Sequence, residues 1–300
     1  MRYPYKTREG GATVTVFVPY DCGNHCPFCI NKGEYSDTST FDQTKIMESI
    51  RLMDEVTPYC DFVFTGGEPF ADREALQKML DLLPPTHKIY INTTLPVYPG
   101  QSQEDILHFV EKNKDKISCI NVSRHLRRYV EESPDELIAA LPVRRRVNCV
   151  LYDHYPADRI PAYLDRWVTS GIPVQFRYDY TATTPDNLYQ TENDKIYADL
   201  CRYATYRGLV GCRMRNGFVF RYKGLDLTYH KTLPYSTILE KDSKDGIVYA
   251  ILYDIIIKQD GAIHSDWDDR VMDYQLDVEA YRHAKQEPYD LRVIEGDVQI

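Results

Sequence analysis

Three of the eight cysteines, Cys22, Cys26 and Cys29, fall within a single eight-residue window. The other five, Cys60, Cys119, Cys149, Cys201 and Cys212, are scattered singly. Chance places three cysteines at that spacing in only about half a percent of chains of this composition, so accident is a poor explanation. Thiolate is a soft ligand that suits zinc, Cu(I) or an iron–sulfur cluster. A structural zinc site takes four protein ligands, and this window offers three thiols plus His25. However, His25 directly precedes Cys26, and adjacent residues reach one tetrahedral metal only with strain. Cys60 precedes the second expected strand, at the opposite end of the sheet from a loop that follows the first. A closed zinc site is hard to assemble from this set. Three cysteines would instead leave one corner of a cubane 4Fe-4S cluster without a protein ligand, open to another molecule.

Such a loop needs a frame, and the sequence supplies one by repetition. A short β-rich run followed by an amphipathic helical stretch recurs six times. The expected strands are 13–19, 61–65, 88–94, 118–124, 146–152 and 173–178, and the expected helices 43–55, 73–83, 104–112, 134–140, 160–170 and 192–207. Alternation of this kind implies βα units and a parallel sheet. The middle strands are apolar on one face only. Ile89 and Ile91 oppose Tyr90 and Asn92, Ile120 and Val122 oppose Asn121 and Ser123, and Val174 and Phe176 oppose Gln175 and Arg177. A sheet buried on both faces reads as apolar throughout, and a closed eight-stranded barrel fills its interior with apolar layers. The expected fold is therefore α/β, a partial (β/α)6 TIM-like barrel with a polar lumen over residues 1–208.

From residue 209 to 300 the pattern changes to β runs without intervening helices. Residues 218–222, 225–229 and 247–258 read as strands, a Gln259-Asp260-Gly261 turn reads as a hairpin, and the tail from Leu276 to Gln286 reads as helix. This smaller C-terminal, β-containing appendage is expected to shape the substrate region or cover the barrel mouth.

Composition narrows the partners. The formal charge is −9 and the pI about 5.4, so no strong field draws phosphate backbones and a dedicated nucleic-acid binder is not expected. The most apolar stretch, Val248 to Ile257, contains Asp254 and is far short of the ~18 residues of a membrane span. The first eleven residues carry no apolar signal core, so the expected location is the cytoplasm, where clustered thiols bind metals instead of forming disulfides.

The run Cys22-Gly23-Asn24-His25-Cys26-Pro27-Phe28-Cys29, after the first strand, resembles the signature of the radical S-adenosylmethionine (radical SAM) superfamily, in which an aromatic residue commonly precedes the third cysteine. Thr65-Gly66-Gly67-Glu68-Pro69, at the end of the second strand, resembles the Gly-Gly-Glu-Pro motif of the same superfamily. The resemblance implies a 4Fe-4S cluster on Cys22, Cys26 and Cys29, with the amino and carboxylate groups of SAM on the open iron. It implies reductive cleavage of SAM to a 5′-deoxyadenosyl radical that takes hydrogen from a substrate, with electrons from a reductant such as flavodoxin or ferredoxin. Phe28, Gly66, Gly67, Glu68 and Pro69 would line the cofactor, with Glu68 near the SAM ammonium. Asn92 and Thr94 at the end of the third strand, and Ser123 and Arg124 at the end of the fourth, are placed to meet the ribose and carboxylate of SAM. Asn148, Gln175 and Arg177 on the lumen face are substrate candidates.

A small molecule or nucleotide is the favoured substrate, with a ribosomal peptide or a tRNA as alternatives. A zinc- or cluster-stabilised binding module without catalysis is the competing class. The C-terminal third lacks the cysteines that auxiliary clusters need, and the five single cysteines read as packing residues. Arg144-Arg145-Arg146 reads as a solvated edge at the sheet's non-catalytic end, and His264 to Asp269 as a solvated loop.

Overall fold

The structure, a computed structural model, describes residues 3–18, 22, 24, 26–30, 38–130, 132–267 and 274–298. A short strand, β1 (Tyr5–Arg8), precedes six strand–helix units. Their strands are β2 (Thr13–Val18), β3 (Asp61–Gly66), β4 (Lys88–Thr93), β5 (Ile117–Ser123), β6 (Arg145–Leu151) and β7 (Val174–Tyr178). The helices that follow are α1 (Gln43–Val56), α2 (Arg73–Leu80), α3 (Gln103–Lys112), α4 (Asp135–Ala140), α5 (Ile160–Val168) and α6 (Lys195–Tyr203). Each strand from β2 to β7 pairs in parallel with the next in sequence.

Short polar side chains start several of the helices by taking an amide the helix itself leaves unpaired. Asp42 accepts from the Lys45 amide at 3.1 Å and Asp72 from the Ala75 amide at 2.9 Å. Ser102 and Asp105 form a reciprocal capping box at the start of α3. Helix α6 begins at Lys195, later than the expected Glu192, because Asp194 caps it by accepting from the Tyr197 amide at 3.0 Å. It ends at Tyr203 because Ala204 is extended and leads directly into a strand.

Nine further strands and one short helix complete the chain. They are β8 (Thr205–Gly211), β9 (Arg215–Tyr222), β10 (Leu225–Thr232), β11 (Thr237–Lys241), β12 (Val248–Leu252), β13 (Asp254–Ile257), β14 (Ile263–His264), β15 (Lys285–Glu287), β16 (Arg292–Gly296) and α7 (Val278–Arg282). Most of this C-terminal β region builds onto the barrel sheet, whose order is β14-β13-β2-β3-β4-β5-β6-β7-β10-β9-β8-β16. Strand β13 adds in parallel beside β2, and β10 adds in parallel beside β7. Position 208/209 lies inside β8. A second, four-stranded sheet has the order β11-β12-β1-β15.

Two expectations for this region need correction. Residues 247–258 form two strands in two sheets, because the chain breaks at Tyr253, whose amide turns to the Ser236 carbonyl at 3.0 Å. The tail is helical only over Val278–Arg282. The hairpin at Gln259-Asp260-Gly261 forms as read, with Gly261 at φ +81.

The alternation along the strands divides core from lumen. Ile89, Ile91, Ile120, Val122, Val147, Cys149, Val174 and Phe176 are each at most 1 % exposed and lie in the main hydrophobic core. Burial of each large aliphatic or aromatic side chain contributes roughly 1.5–3 kcal/mol, so this face fixes the register of every middle strand. The sheet is open but curled: Asp254 on β13 acts electrostatically on Arg215 on β9, although seven strands separate them in the sheet order. No helix among the described residues is long and apolar enough to cross a membrane. Of the single cysteines, four are buried as expected, but Cys201 is exposed on α6. Its position at the outer face of that helix leaves its thiol in solvent.

Candidate active site

The cysteine loop follows β2 at the carboxyl ends of the parallel strands, where open α/β folds bind ligands. Cys22, Cys26 and Cys29 are all partly buried, and none is in a disulfide. The Cys29 amide turns back to the Cys26 carbonyl at 3.2 Å, a tight turn that places these two residues on one side of the loop. Phe28 packs its ring against His125, Tyr129 and Tyr152, with centroids 5.0, 5.4 and 5.8 Å away. That aromatic floor anchors the loop to the ends of β5 and β6. His25 lies outside the described residues.

The second motif sits directly beside the first. Asn24 donates to the Cys22 sulfur at 3.5 Å and to the Thr94 hydroxyl at 3.4 Å. Thr94 in turn donates to Glu68 from its amide at 2.7 Å and from its hydroxyl at 2.8 Å. Glu68 is 1 % exposed, and its other oxygen accepts from the Phe70 amide at 3.1 Å and from the Thr93 hydroxyl. Burial pushes the Glu68 carboxyl up, and its four donors act against that rise. All four donors belong to the protein, so this carboxylate ties the end of β3 to the end of β4. Pro69 opens a short 3-10 turn over Pro69–Ala71, and α2 starts at Arg73. Gly67 forms the bend between strand and turn.

Gly66 is where the backbone needs a glycine. Its φ is +118, and an added Cβ would stand 2.8 Å from the Val18 carbonyl oxygen on the neighbouring strand. Gly66→Ala is expected to destabilise the fold by about 2–4 kcal/mol, from an unfavourable φ and a backbone collision together. Urea denaturation measures it, and a loss below about 1 kcal/mol would show that β2 gives way easily here.

The ends of β4 and β5 carry the next candidates. Asn92 accepts from Asn121 at 2.8 Å, and Asn121 accepts from Arg146 at 2.9 Å, a polar row across the lumen face. Ser123 is half-buried, with its carbonyl accepting from Arg124 at 2.9 Å. Arg124 is fully buried. Its guanidinium also holds the Thr94 carbonyl at 2.8 Å and the Ser133 carbonyl and hydroxyl at 3.1 and 2.9 Å. It therefore fastens three loops together from beneath the site.

His125, which the sequence reading passed over, belongs to this site. Its Nδ1 accepts from the Val150 amide at 3.1 Å, which leaves the proton on Nε2, and its ring packs on Phe28. It directly follows Ser123 and Arg124 at the end of β5, and no local signal in the sequence marks it out. Burial first, and the Arg124 charge second, pull its pKa down to about 4. The unfolded chain therefore binds this proton more tightly than the folded one. Its contribution to stability is present above about pH 6.5 and is lost as pH falls towards 4. The loss is roughly 3 kcal/mol at most. Thermal melts between pH 4 and 7 test this: His125→Gln should flatten the slope, and an unchanged slope would assign it to other groups.

On the lumen face, Asn148 pairs in register with Gln175, and Val150 with Arg177. Gln175 is buried and accepts from Arg177 at 3.2 Å, while the Asn148 side-chain oxygen is buried without a partner. The reading of Arg144 to Arg146 as a solvated edge is overturned for Arg146. It lies opposite Asn121 on the lumen face and is largely enclosed, because strand phase turns alternate residues inward. The solvated loop at His264 is also corrected. Ser265 and Asp266 are at most 2 % exposed, and Asp266 accepts from the Ser236 and Thr237 amides at 2.7 and 2.8 Å. Asp268 and Asp269 lie outside the described residues.

The donor set suits a 4Fe-4S cluster. Among the described residues no three His, Cys, Asp or Glu groups are already gathered to hold a metal ion. Burial holds the Cys22 thiol above its ordinary pKa while hydrogen bonds from Asn24 lower it, and metal binding would drive off that proton.

Residues 9–136 match the model of the family described as a 4Fe-4S single cluster domain. Among curated proteins, none matches the chain. The crystal structure of Streptococcus suis SuiB bound to the precursor peptide SuiA is similar over 55% of this chain and 39% of that one, at 17% identity and a TM-score of 0.43. The structure of SuiB bound to S-adenosylmethionine is similar over 63% and 44%, at 15% identity and a TM-score of 0.43. The chain thus spans less than half the length of these SuiB structures. The matched stretch takes in both the cysteine triplet and the Thr65–Pro69 turn.

Proposed function

We propose that this chain is an enzyme that cleaves SAM reductively and abstracts hydrogen from a small molecule held in the barrel lumen. The observation that carries the reading is the hydrogen-bonded path Cys22–Asn24–Thr94–Glu68, which joins the thiol loop to the Gly-Gly-Glu-Pro turn. When bound, the cluster supplies an electron that breaks a carbon–sulfur bond of SAM. In this reading Cys22, Cys26 and Cys29 hold three irons, and Phe28 keeps the loop seated against His125 and Tyr129. Gly66 and Gly67 let backbone approach the methionyl part of SAM, and Glu68 acts through Thr94 by holding the end of β4. The lumen residues Asn148, Gln175 and Arg177 bind the substrate. The strands after residue 208 form its far wall, since β10 sets His230 beside Arg177. Flavodoxin or ferredoxin is the proposed electron source.

The test is anaerobic reconstitution with iron and sulfide, followed by reduction with dithionite in the presence of SAM. About three to four irons per chain and formation of 5′-deoxyadenosine are expected for one such cluster. One equivalent of zinc, with no iron uptake and no cleavage, would overturn the reading in favour of a binding module. Deuterium exchange into 5′-deoxyadenosine from labelled metabolite fractions then identifies the substrate class, and exchange from a peptide fraction alone would exclude the small-molecule assignment.

A further inference from the structure

The lumen gathers positive charge. Arg146 on β6, Arg177 on β7 and Arg215 on β9 act electrostatically on one another, and all three act on His230 of β10. Strand register accounts for the nearness of Arg177, His230 and Arg215. Arg177 lies opposite His230 and His230 opposite Gly217, two residues from Arg215. Gly217 leaves room for this packing, since a Cβ there would stand 2.8 Å from the His230 ring.

Among the described residues, none of the three guanidiniums makes a salt bridge. Arg146 bonds only the Asn121 amide oxygen, at 2.9 Å, and its Nε is buried without a partner. Arg177 bonds Gln175 at 3.2 Å, and Arg215 bonds the Tyr289 hydroxyl. Asp254 attracts Arg177 and Arg215, and burial disfavours its own ionisation. His230 donates from Nδ1 to the Asn216 carbonyl at 2.7 Å, and burial together with the three arginines pulls its pKa down to about 3. It is therefore neutral and adds an acceptor beside the three donors.

Packing core does not account for this. Arg177 is open to the cavity although protein surrounds it, and burial with its arginine neighbours draws it down to about 10. Like charges gathered in an enclosed site cost stability unless an anion offsets them. The protein as a whole is at −9, so the reversal of sign in the lumen is local. Guanidinium is the side chain suited to bidentate contact with phosphate or carboxylate oxygens. Of the three, Arg215 also lines a cavity that it shares with Arg8, Asp254, Glu287, Tyr289 and Asp290.

We propose that Arg146, Arg177 and Arg215 form an oxyanion-recognition site for a doubly negative substrate, one carrying a phosphate group or a pair of carboxylates. The proposal deepens the reading of the lumen as the substrate chamber and rests on it only for the word substrate. The anion site stands on the arginines themselves.

Titration calorimetry at low ionic strength tests it, with inorganic pyrophosphate and succinate as separate probes on the purified chain. Saturable binding of pyrophosphate alone assigns a phosphate, binding of succinate alone assigns carboxylates, and either supports the site. Arg177→Gln and Arg215→Gln should each weaken binding at least tenfold, with Arg177→Lys intermediate because it keeps charge but loses the fork. The unliganded Arg177→Gln protein should melt at or above the wild-type temperature, since a repelling charge is gone; a purely structural arginine would lower it. Absence of saturable binding, or binding unchanged in both Gln variants, overturns the proposal. SAM cleavage without substrate is measured in parallel on the wild-type chain. Anion binding without any SAM cleavage would sink the enzyme reading and leave this site standing.

Discussion

Cys26→Ala should yield a protein that folds, takes up markedly less iron and forms no detectable 5′-deoxyadenosine. The reasoning is one of ligand number. Three thiolates hold three corners of a cubane cluster, and removal of one leaves a second iron exposed to solvent and loss. The fold should survive because Cys26 is only partly buried and lies outside the hydrophobic core. Cys201→Ala is the matched control, because that cysteine is exposed on α6, away from the loop. It should retain iron and cleavage. Cys60 and Cys149 cannot substitute, since burial pushes both thiols up to about 12 and keeps them protonated. Iron measured by colorimetric assay and cleavage by chromatography decide it. Retained cleavage in Cys26→Ala would mean that the ligands are misassigned.

Glu68→Ala is expected to be the most destabilising single change near the site, by about 3–5 kcal/mol. The variant leaves the amides of Phe70 and Thr94 and the hydroxyls of Thr93 and Thr94 without their acceptor, in a place water does not reach. Glu68→Gln keeps the shape but turns an amide group towards at least one of those donors, so it should recover only part of the loss. Denaturant midpoints at constant m-value measure both. Cleavage of SAM should fall with Glu68→Ala even below its melting temperature, because Thr94, which meets Asn24, loses its anchor. A destabilisation under about 1 kcal/mol, with cleavage intact, would show that the β3–β4 tie is dispensable.

The chemistry-bearing motifs were legible in the sequence because each is local. Cys22 to Cys29 and Thr65 to Pro69 are short runs whose spacing a linear reading can detect, and the six βα units fix where such runs emerge. The apolar face of each middle strand was equally legible, since alternation at period two is a local property. What those residues do to one another was not. Glu68 and Arg124 read as cofactor contacts, yet both spend their hydrogen bonds on backbone and hydroxyl groups of neighbouring loops, partners 25 and 30 residues away. His125 was hidden because its role depends on the amide of Val150 in the next strand and on the ring of Phe28.

The sequence alone therefore determined the metal ligands to expect, the parallel βα frame and the polar inner face, all consequences of residue type and short-range period. Only the tertiary structure decided which residues that inner face brings together. The arginine group exists because β10 and β9 follow β7 in the sheet out of chain order, placing His230 and Arg215 beside Arg177. Arg146 joins it because strand phase turns that one residue of an arginine run inward. Neither strand order nor phase is written at a single position. Both are set by the burial of whole strands, where a slip of one residue would exchange the core face for the lumen face.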